Sequence, residues 1–418
     1  MAQNCRFWAA IWIFATVSLG CTHPSHAQSA DVRTVTMRAV VDEAYRGLPN
    51  WEATLRRTVA AVSDIYEKNF QIRFTILDVV PKTFGEFVSP RHLVDMMKAS
   101  VPIGDADVLV GFSHQRCERL ERGWALAFSR FAVVMTGCGD AILAAQRTPE
   151  QTLAHELAHL FGAFHPSRGV DSLMRPLGAA EKFDDQTSRV IRLMRTYDFR
   201  RGVLGLDEAV RRTWSAIYAK GHAADEPNPL ASAIRNAGLD LLRSGKIDDG
   251  EAALREAVKI DPSFPAPHGD LGLLYSRRGQ LDEAVRELRT AKQLDFRQVG
   301  AQTELGFVLL RLGKDEDALW EFREALRVDP RFARARVGHG FTLARGKKFA
   351  EAISEFREAI KLEPGNGGTH VRLAMAFYGN GQYAEAWEAV AQARALGASI
   401  PPAFVNALAE RMPPPAAR

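Results

Sequence analysis

Three histidines and a glutamate lie together in the stretch His155-Glu-Leu-Ala-His-Leu-Phe-Gly-Ala-Phe-His165. His155 and His159 are four residues apart, so on a helix their side chains share one face, one turn apart. Two imidazole nitrogens at that spacing can bind a single Zn²⁺ at about 2.0–2.1 Å each. Gly162 permits the sharp turn that ends the helix and returns His165 as a third ligand. The stretch therefore predicts one zinc ion with a fourth position open to water.

The residues before the motif predict the helix that must carry it. Thr148-Pro149-Glu150-Gln151 is typical of a helix start, with Thr148 as the N-cap and Gln151 completing a capping box. Glu156 stands beside the first histidine and can reach a zinc-bound water without binding the metal, which suits a general base. The alternative is an ordinary helix with solvated histidines and a chance glutamate. An apolar stripe would pack the helix on a sheet: Leu153, Leu157, Leu160 and Phe161.

The spacing His-Glu-x-x-His-x-x-Gly-x-x-His resembles the motif of the metzincin zinc peptidases. The family has a methionine turn, and Ser172-Leu173-Met174-Arg175-Pro176 follows at a fitting distance. The resemblance implies that Met174 forms an apolar floor under the zinc; an ordinary core residue is the alternative. Because Pro176 stands where some metzincins have a zinc-binding tyrosine, the turn is most similar to that of the matrixins. The implied reaction is hydrolysis of a peptide or protein substrate, with Glu156 as the general base.

Apolar periodicity predicts the elements that hold the motif. Strands are expected at 32–41, 70–80, 107–112, 123–128 and 131–136, and helices at 51–69 and 90–99. This order is similar to that of a metzincin, so we expect an α+β domain with a mixed twisted sheet over residues 28–200. A candidate sheet edge could pair with an extended peptide substrate, although an inner strand is the alternative: Gly123, Trp124, Ala125 and Leu126.

The amino terminus predicts export. Arg6 precedes the uncharged run Phe7 to Leu19, and Ser25-His26-Ala27 offers small residues for cleavage, so residues 1–27 are interpreted as a signal peptide of a periplasmic or secreted protein. Lipid attachment at Cys21, which would anchor the chain to a membrane, is the alternative. In an exported protein Cys117 and Cys138 favour a disulfide; two free thiols or a thiolate that reaches the zinc are the alternatives.

The carboxyl-terminal half repeats with a period of 34 residues, after a helical and Pro-rich linker at 201–229. Two sets of small residues recur in register: Gly238, Gly272, Gly306, Gly340 and Ala374, and Ala257, Ala291, Ala325, Ala359 and Ala393. Small residues where two helices cross, followed by Asp-Pro or Glu-Pro stops, predict a helix-turn-helix repeat. The pattern resembles the tetratricopeptide repeat (TPR), in five copies with a capping helix at 402–411, over 230–418. The resemblance implies an all-α solenoid whose groove binds substrate or a protein partner; a spacer is the alternative.

The composition argues against nucleic acid as a partner. The net charge is only +4, from 54 basic and 50 acidic residues, and no basic run is interleaved with aromatic residues, so nucleic acid is not an expected partner. Together the patterns predict an exported zinc metalloendopeptidase of two domains, α+β and then all-α. The alternatives are a non-catalytic TPR scaffold with an inactive metal-binding domain, and a zinc hydrolase of non-peptide substrates.

Overall fold

The computed structural model describes residues 31–85, 89–115, 123–137, 148–166, 170–175, 180–220 and 228–414. The interpreted signal peptide with Cys21, both cysteines of the candidate disulfide (Cys117 and Cys138) and Pro176 lie outside the described residues. Export, lipid attachment and the disulfide therefore stay predictions. No helix in the described ranges combines the length and apolar character that crossing a membrane requires.

A single five-stranded sheet organises the amino-terminal part of the described chain. Its strands are β1 (Arg33–Val41), β2 (Ile72–Pro81), β3 (Val108–Ser113), β4 (Gly123–Ala125) and β5 (Phe131–Met135). The order is β2-β1-β3-β5-β4, with β4 antiparallel to β5 and the other pairs parallel. The predicted edge position of β4 is confirmed. The strand is shorter than predicted, because Phe128 takes a φ of 58° and the chain turns there.

Helices cover both faces of this sheet. They are α1 (Glu43–Arg46), α2 (Trp51–Phe70), α3 (Pro90–Ser100), α4 (Pro149–Leu160), α5 (Asp185–Leu193) and α6 (Glu208–Tyr218), with a 3₁₀ turn at Val203–Gly205. On one face α2 contacts α4, where the Tyr66 hydroxyl donates to the Ala154 carbonyl at 2.8 Å. On the other face α3 packs Leu93 and Met97 with Leu109 of β3. Alternate residues of the strands supply the two cores, as a pleated sheet requires.

Five helix pairs and a final helix form the carboxyl-terminal part. The pairs are α7 (Pro229–Arg243) with α8 (Ile247–Ile260), α9 (Pro265–Arg278) with α10 (Leu281–Leu294), α11 (Val299–Arg311) with α12 (Asp315–Val328), α13 (Ala333–Arg345) with α14 (Phe349–Leu362), and α15 (Gly367–Gly379) with α16 (Tyr383–Ala395). The last helix, α17 (Pro402–Arg411), follows at the position predicted for a cap and packs Phe404 on Tyr378. The 34-residue register thus corresponds to one helix pair per repeat.

The main hydrophobic core is continuous from the sheet into the first helix pair. It includes Trp214 of α6, Leu230 and Ile234 of α7, and Ala253 of α8. The Trp214 indole donates to the carbonyl of Gly162 at 3.0 Å. Helix α6 therefore joins the turn after the histidine helix to the start of the repeats.

Candidate metal centre and repeat surface

The three histidines of the motif meet at one point. The Nε2 atom of His155 lies 3.1 Å from that of His159 and 3.4 Å from that of His165. One ligand atom from each of the three can be chosen so that all lie within 4.8 Å of one another. Nitrogens bound tetrahedrally at about 2.0–2.1 Å from one ion stand roughly 3.3–3.4 Å apart. The spacing of these nitrogens therefore suits a single transition-metal ion.

Backbone carbonyls fix the protonation of two of these rings. The Nδ1 atom of His155 donates to the carbonyl of Leu173 at 2.7 Å, and that of His159 donates to the carbonyl of Ala163 at 2.9 Å. A carbonyl oxygen only accepts, so each neutral ring carries its proton on Nδ1 and has its lone pair on Nε2. Two lone pairs that face each other repel unless a cation lies between them. The donor set therefore fits Zn²⁺, and the carbonyls are the outer partners that orient metal-binding histidines.

Local sequence explains how the chain builds this cluster. Helix α4 begins with the predicted capping box between Thr148 and Gln151, with Pro149 at its first position. It ends at Leu160, and the turn that follows passes through Gly162, whose φ of +76° and closeness to the Phe128 ring leave no room for a side chain. Met174 is fully buried in the main core, and the preceding residue supplies the carbonyl for His155. The methionine turn thus lies against the cluster, while the role of Met174 as the floor under a metal stays a prediction.

Glu156 and the edge strand are in direct contact. Glu156 is only 5% exposed, and a Cβ atom at Gly123 would lie 2.6 Å from its Oε1 atom. A side chain at Gly123 of β4 would therefore displace the Glu156 carboxylate from its present position. The sequence singled out Gly123 for substrate binding and missed this packing role, for which a glycine inside a strand is the available signal. Peptide binding along Gly123, Trp124, Ala125 and Leu126 stays a prediction.

The first helices of the repeats line the inner side of the array. Neighbouring first helices contact one another, α9 with α11, α11 with α13 and α13 with α15, whereas the second helices pack mainly on first helices. Adjacent first helices are therefore the closer-spaced set, as on the concave side of a solenoid. We call the surface formed by α7, α9, α11, α13 and α15 the inner surface, and that formed by α8, α10, α12, α14 and α16 the outer surface.

The two surfaces carry opposite charge. The five inner helices contain nine arginines and three acidic residues, a net charge of +6. The five outer helices contain seventeen acidic and ten basic residues, a net charge of −7. The small net charge of the whole chain conceals this separation.

A polar pair that is buried or partly buried recurs inside three successive repeats. His268 donates to Glu287 at 2.7 Å, Gln302 donates to Glu321 at 3.2 Å, and Arg336 donates to Glu355 at 3.0 Å. The residues of each pair stand at the same two places of the 34-residue unit, one on the first helix and one on the second. The hydrogen bond to Glu287 raises the pKa of His268 above its usual value.

Comparisons with known proteins identify the repeats. Two family models of the tetratricopeptide repeat match, one over residues 241–299 and 343–410 and the other over 303–367. The carboxyl-terminal part is therefore a TPR array, as predicted. None of the curated proteins matches the chain.

Several solved structures are similar to part of this chain. One titled "Crystal structure of MamA" is 21% identical and covers 38% of this chain and 94% of its own, with a TM-score of 0.35. The pilF protein of Pseudomonas aeruginosa is 23% identical and covers 43% of this chain and 83% of its own, with a TM-score of 0.40. YrrB, titled "a TPR protein with an unusual peptide-binding site", is 20% identical and covers 40% of this chain and 86% of its own, with a TM-score of 0.34. At these values the likeness says nothing about what this chain binds.

The comparisons correct the predicted activity. The prediction of a zinc metalloendopeptidase, and with it the terms hydrolase, protease and metalloprotease, is wrong: both matching family models describe TPR repeats, and neither reaches the histidine helix. The physical reason is that the spacing of the histidines and Glu156 indicates which side chains could meet at a metal ion, and does not indicate whether such a site turns over a substrate. The general-base role predicted for Glu156 depended on that activity.

Proposed function

We propose that this chain is a non-catalytic protein-binding scaffold whose TPR array holds a partner protein and whose amino-terminal domain, residues 28–200, is an inactive metzincin-like unit that binds one Zn²⁺. The observation that carries the proposal is the TPR array, since stacked repeats of this kind form extended concave binding surfaces. With the interpreted signal peptide at residues 1–27, the scaffold would act in the periplasm or outside the cell.

The zinc site has a structural part in this proposal. His155 and His159 lie on α4, whereas His165 lies beyond the turn at Gly162. An ion bound by all three would hold the end of α4 to the segment that follows it. The carbonyl of Leu173 and the Trp214 indole contact the same region, so the ion would stabilise the part of the domain that adjoins the repeats.

Site-specific photo-crosslinking tests the scaffold function. A photoreactive phenylalanine in place of Phe341 on the inner surface is expected to join a partner protein in the native cell. The matched control carries the same group in place of Trp320, which is 53% exposed on α12 of the outer surface. One defined adduct from position 341 and none from position 320 is the expected result. Equal adducts from both positions, or none from either, would contradict a partner in the groove.

Metal analysis tests the zinc site and the absence of turnover together. The purified full chain is expected to hold about one zinc per chain, lost in His155→Ala and retained in the control His370→Ala, since His370 lies on α15 away from the cluster. Cleavage of casein by the zinc-loaded chain, abolished by Glu156→Gln, would contradict the non-catalytic interpretation.

A further inference from the structure

Two rows of side chains run along the inner surface in the 34-residue register. One row is apolar: Leu239, Leu273, Phe307, Phe341 and Met375. Phe341 and Met375 are each 38% exposed. The second row is basic and stands four residues after the first, one helical turn further along the same face: Arg243, Arg277, Arg311 and Arg345. Each of these four repeats thus offers an apolar side chain beside an arginine.

Two of the four arginines in the basic row are already ion-paired, Arg243 with Asp240 at 2.6 Å and Arg345 with Asp315 at 3.0 Å, whereas the two central ones are available to a ligand. Within the described ranges, neither Arg277 nor Arg311 forms an ion pair with a carboxylate, and Arg311 donates instead to the carbonyl of Ser276 at 2.5 Å. Arg372, on the last inner helix, donates to its own helix at the carbonyl of Gly368. Carboxylates on a partner would therefore gain charge-assisted hydrogen bonds without displacing an existing pair.

Acidic residues on the same surface are already neutralised. Asp270 accepts from Arg235, and Glu304 accepts from Arg334, whose guanidinium also lies 5.3 Å from the Phe307 ring centre. Arg277 is close enough to Glu304 to lower its pKa, although burial acts more strongly and raises it overall. The third acidic residue, Asp240, pairs with Arg243, so the positive charge that remains at the centre of the groove comes from Arg277 and Arg311.

The spacing of the rows defines the shape of a ligand that fits both. Packed helices lie about 8–10 Å apart, which is the step from one repeat to the next along each row. A polyproline II segment advances about 3.1 Å per residue with three residues per turn, so its equivalent side chains recur about every 9 Å. Every third residue of such a ligand would then contact the apolar row, one ligand residue per repeat. The residue next to it would be directed at the basic row.

We propose that the groove binds an acidic, extended segment of a partner protein in which an apolar residue recurs at every third position, next to Asp or Glu. This rests on the proposed scaffold function and names the chemistry of its partner. The opposite charge of the outer surface excludes such a segment from that side. The partner is thereby selected by charge and by spacing.

Fluorescence polarisation with defined peptides tests this proposal on the full chain. The probe is a labelled peptide of roughly 15 residues built from Leu-Glu-Pro units, in which proline favours the polyproline II conformation. Two matched peptides replace every Glu by Lys, or every Leu by Ser. The Leu-Glu-Pro peptide is expected to bind, and to bind more weakly as salt rises from about 50 to 500 mM, while both matched peptides bind at least about tenfold more weakly.

Substitutions on the two surfaces test where on the array the peptide binds. Arg277→Glu and Phe341→Ser are each expected to weaken binding of the Leu-Glu-Pro peptide about tenfold. The control Arg323→Glu, the same charge reversal at an exposed position of α12 on the outer surface, is expected to stay within about twofold of wild type. Helix content and melting temperature are measured for each variant, so that a folding failure is recognised; Arg277→Ala then replaces Arg277→Glu.

Other outcomes would overturn the proposal in distinguishable ways. Equal or tighter binding of the Lys peptide would overturn the acidic partner and leave the scaffold function standing. Absence of binding by all three peptides, with the crosslink at position 341 intact, would overturn the extended segment alone. Equal competition by single-stranded DNA would show binding by charge without apolar recognition. Concentration-dependent self-association that Arg277→Glu abolishes would make the acidic outer surface of a second copy the occupant.

Discussion

Gly162 illustrates how one backbone conformation determines the geometry of a cluster. Its φ of +76° belongs to the left-handed region, and a Cβ there would lie 2.3 Å from the Phe128 ring. We expect Gly162→Ala to lower the free energy of unfolding by about 2–4 kcal/mol, from the strained φ together with the clash. Urea unfolding of the zinc-loaded protein measures this.

Gly279 supplies the matched control for this substitution. It also has a positive φ, +81°, in the left-handed region, but nothing lies within 4 Å of its Cβ position. Gly279→Ala should therefore cost about 1 kcal/mol from backbone strain alone. Equal losses in the two variants would show that the Phe128 contact contributes nothing.

His268 makes the stability of the array depend on pH. Because the hydrogen bond to Glu287 raises the pKa of His268 in the folded state, protonation favours folding. The stabilisation is complete below the unfolded pKa of about 6.5 and is lost as the pH rises through the folded pKa. Wild type should thus lose roughly 1 kcal/mol between about pH 5.5 and 8.5 that His268→Gln does not lose.

The next repeat shows that His268→Gln is a conservative test. Gln302 occupies the equivalent place there and donates to Glu321 at 3.2 Å, so a glutamine can make this contact without a titrating group. Urea midpoints of both proteins across this pH range give the comparison. Parallel pH profiles would show that another group is responsible.

At the scale of single elements, α12 packs on α11 and α13 by placing one of its rings against a glycine on each of them. The Phe322 ring is fully buried between Gly306 of α11 and Gly338 of α13; a Cβ at Gly338 would lie 2.2 Å from the ring. Gly338→Ala should destabilise the array by about 1–3 kcal/mol, since the ring cannot shift without disturbing its neighbours. Thermal or urea unfolding of the full chain measures the change.

Gly300 on α11 is the control for this packing. Nothing lies within 4 Å of its Cβ position, and its φ is ordinary. Gly300→Ala should therefore stabilise the array by about 0.5–1 kcal/mol, because alanine loses less backbone entropy in a helix. A loss of stability here would mean that glycine acts at this position for another reason.

Periodic elements could be predicted from the sequence, and the contacts between distant elements could not. The 34-residue register gave the helix pairs, and apolar spacing placed α2 and β1 within about two residues of their bounds. The three histidines were found because a helix brings residues four apart together. The carbonyls of Leu173 and Ala163 were not found, because a backbone acceptor has no residue-specific signature. The activity was wrongly predicted for a different reason. The spacing of side chains indicates which residues could bind a metal, and does not indicate whether the site turns over a substrate.

At the scale of the whole molecule, the amino-terminal domain and the first repeat share one hydrophobic core. The main core extends from the sheet through Trp214 into α7 and α8, whereas the last two helix pairs belong to a separate core that includes Phe356 and Trp387. Arg211 of α6 and Glu256 of α8 add a 3.8 Å ion pair at the junction. The first repeat is therefore coupled to the domain with the histidine cluster more directly than the last.

This coupling predicts how the array would respond to loss of the zinc ion proposed for the histidine cluster. Removing zinc with a chelator should loosen α4 and the Gly162 turn, which contacts Trp214, and so raise amide hydrogen exchange in α7 and α8. Exchange in α15 and α16 should stay unchanged, because in a solenoid each repeat contacts mainly its neighbours. His155→Ala should reproduce the pattern without chelator, and adding chelator to that variant should change nothing further. A uniform rise along the whole array would instead mean that the repeats unfold as one unit, and exchange confined to α4 would mean that the metal supports the amino-terminal domain alone.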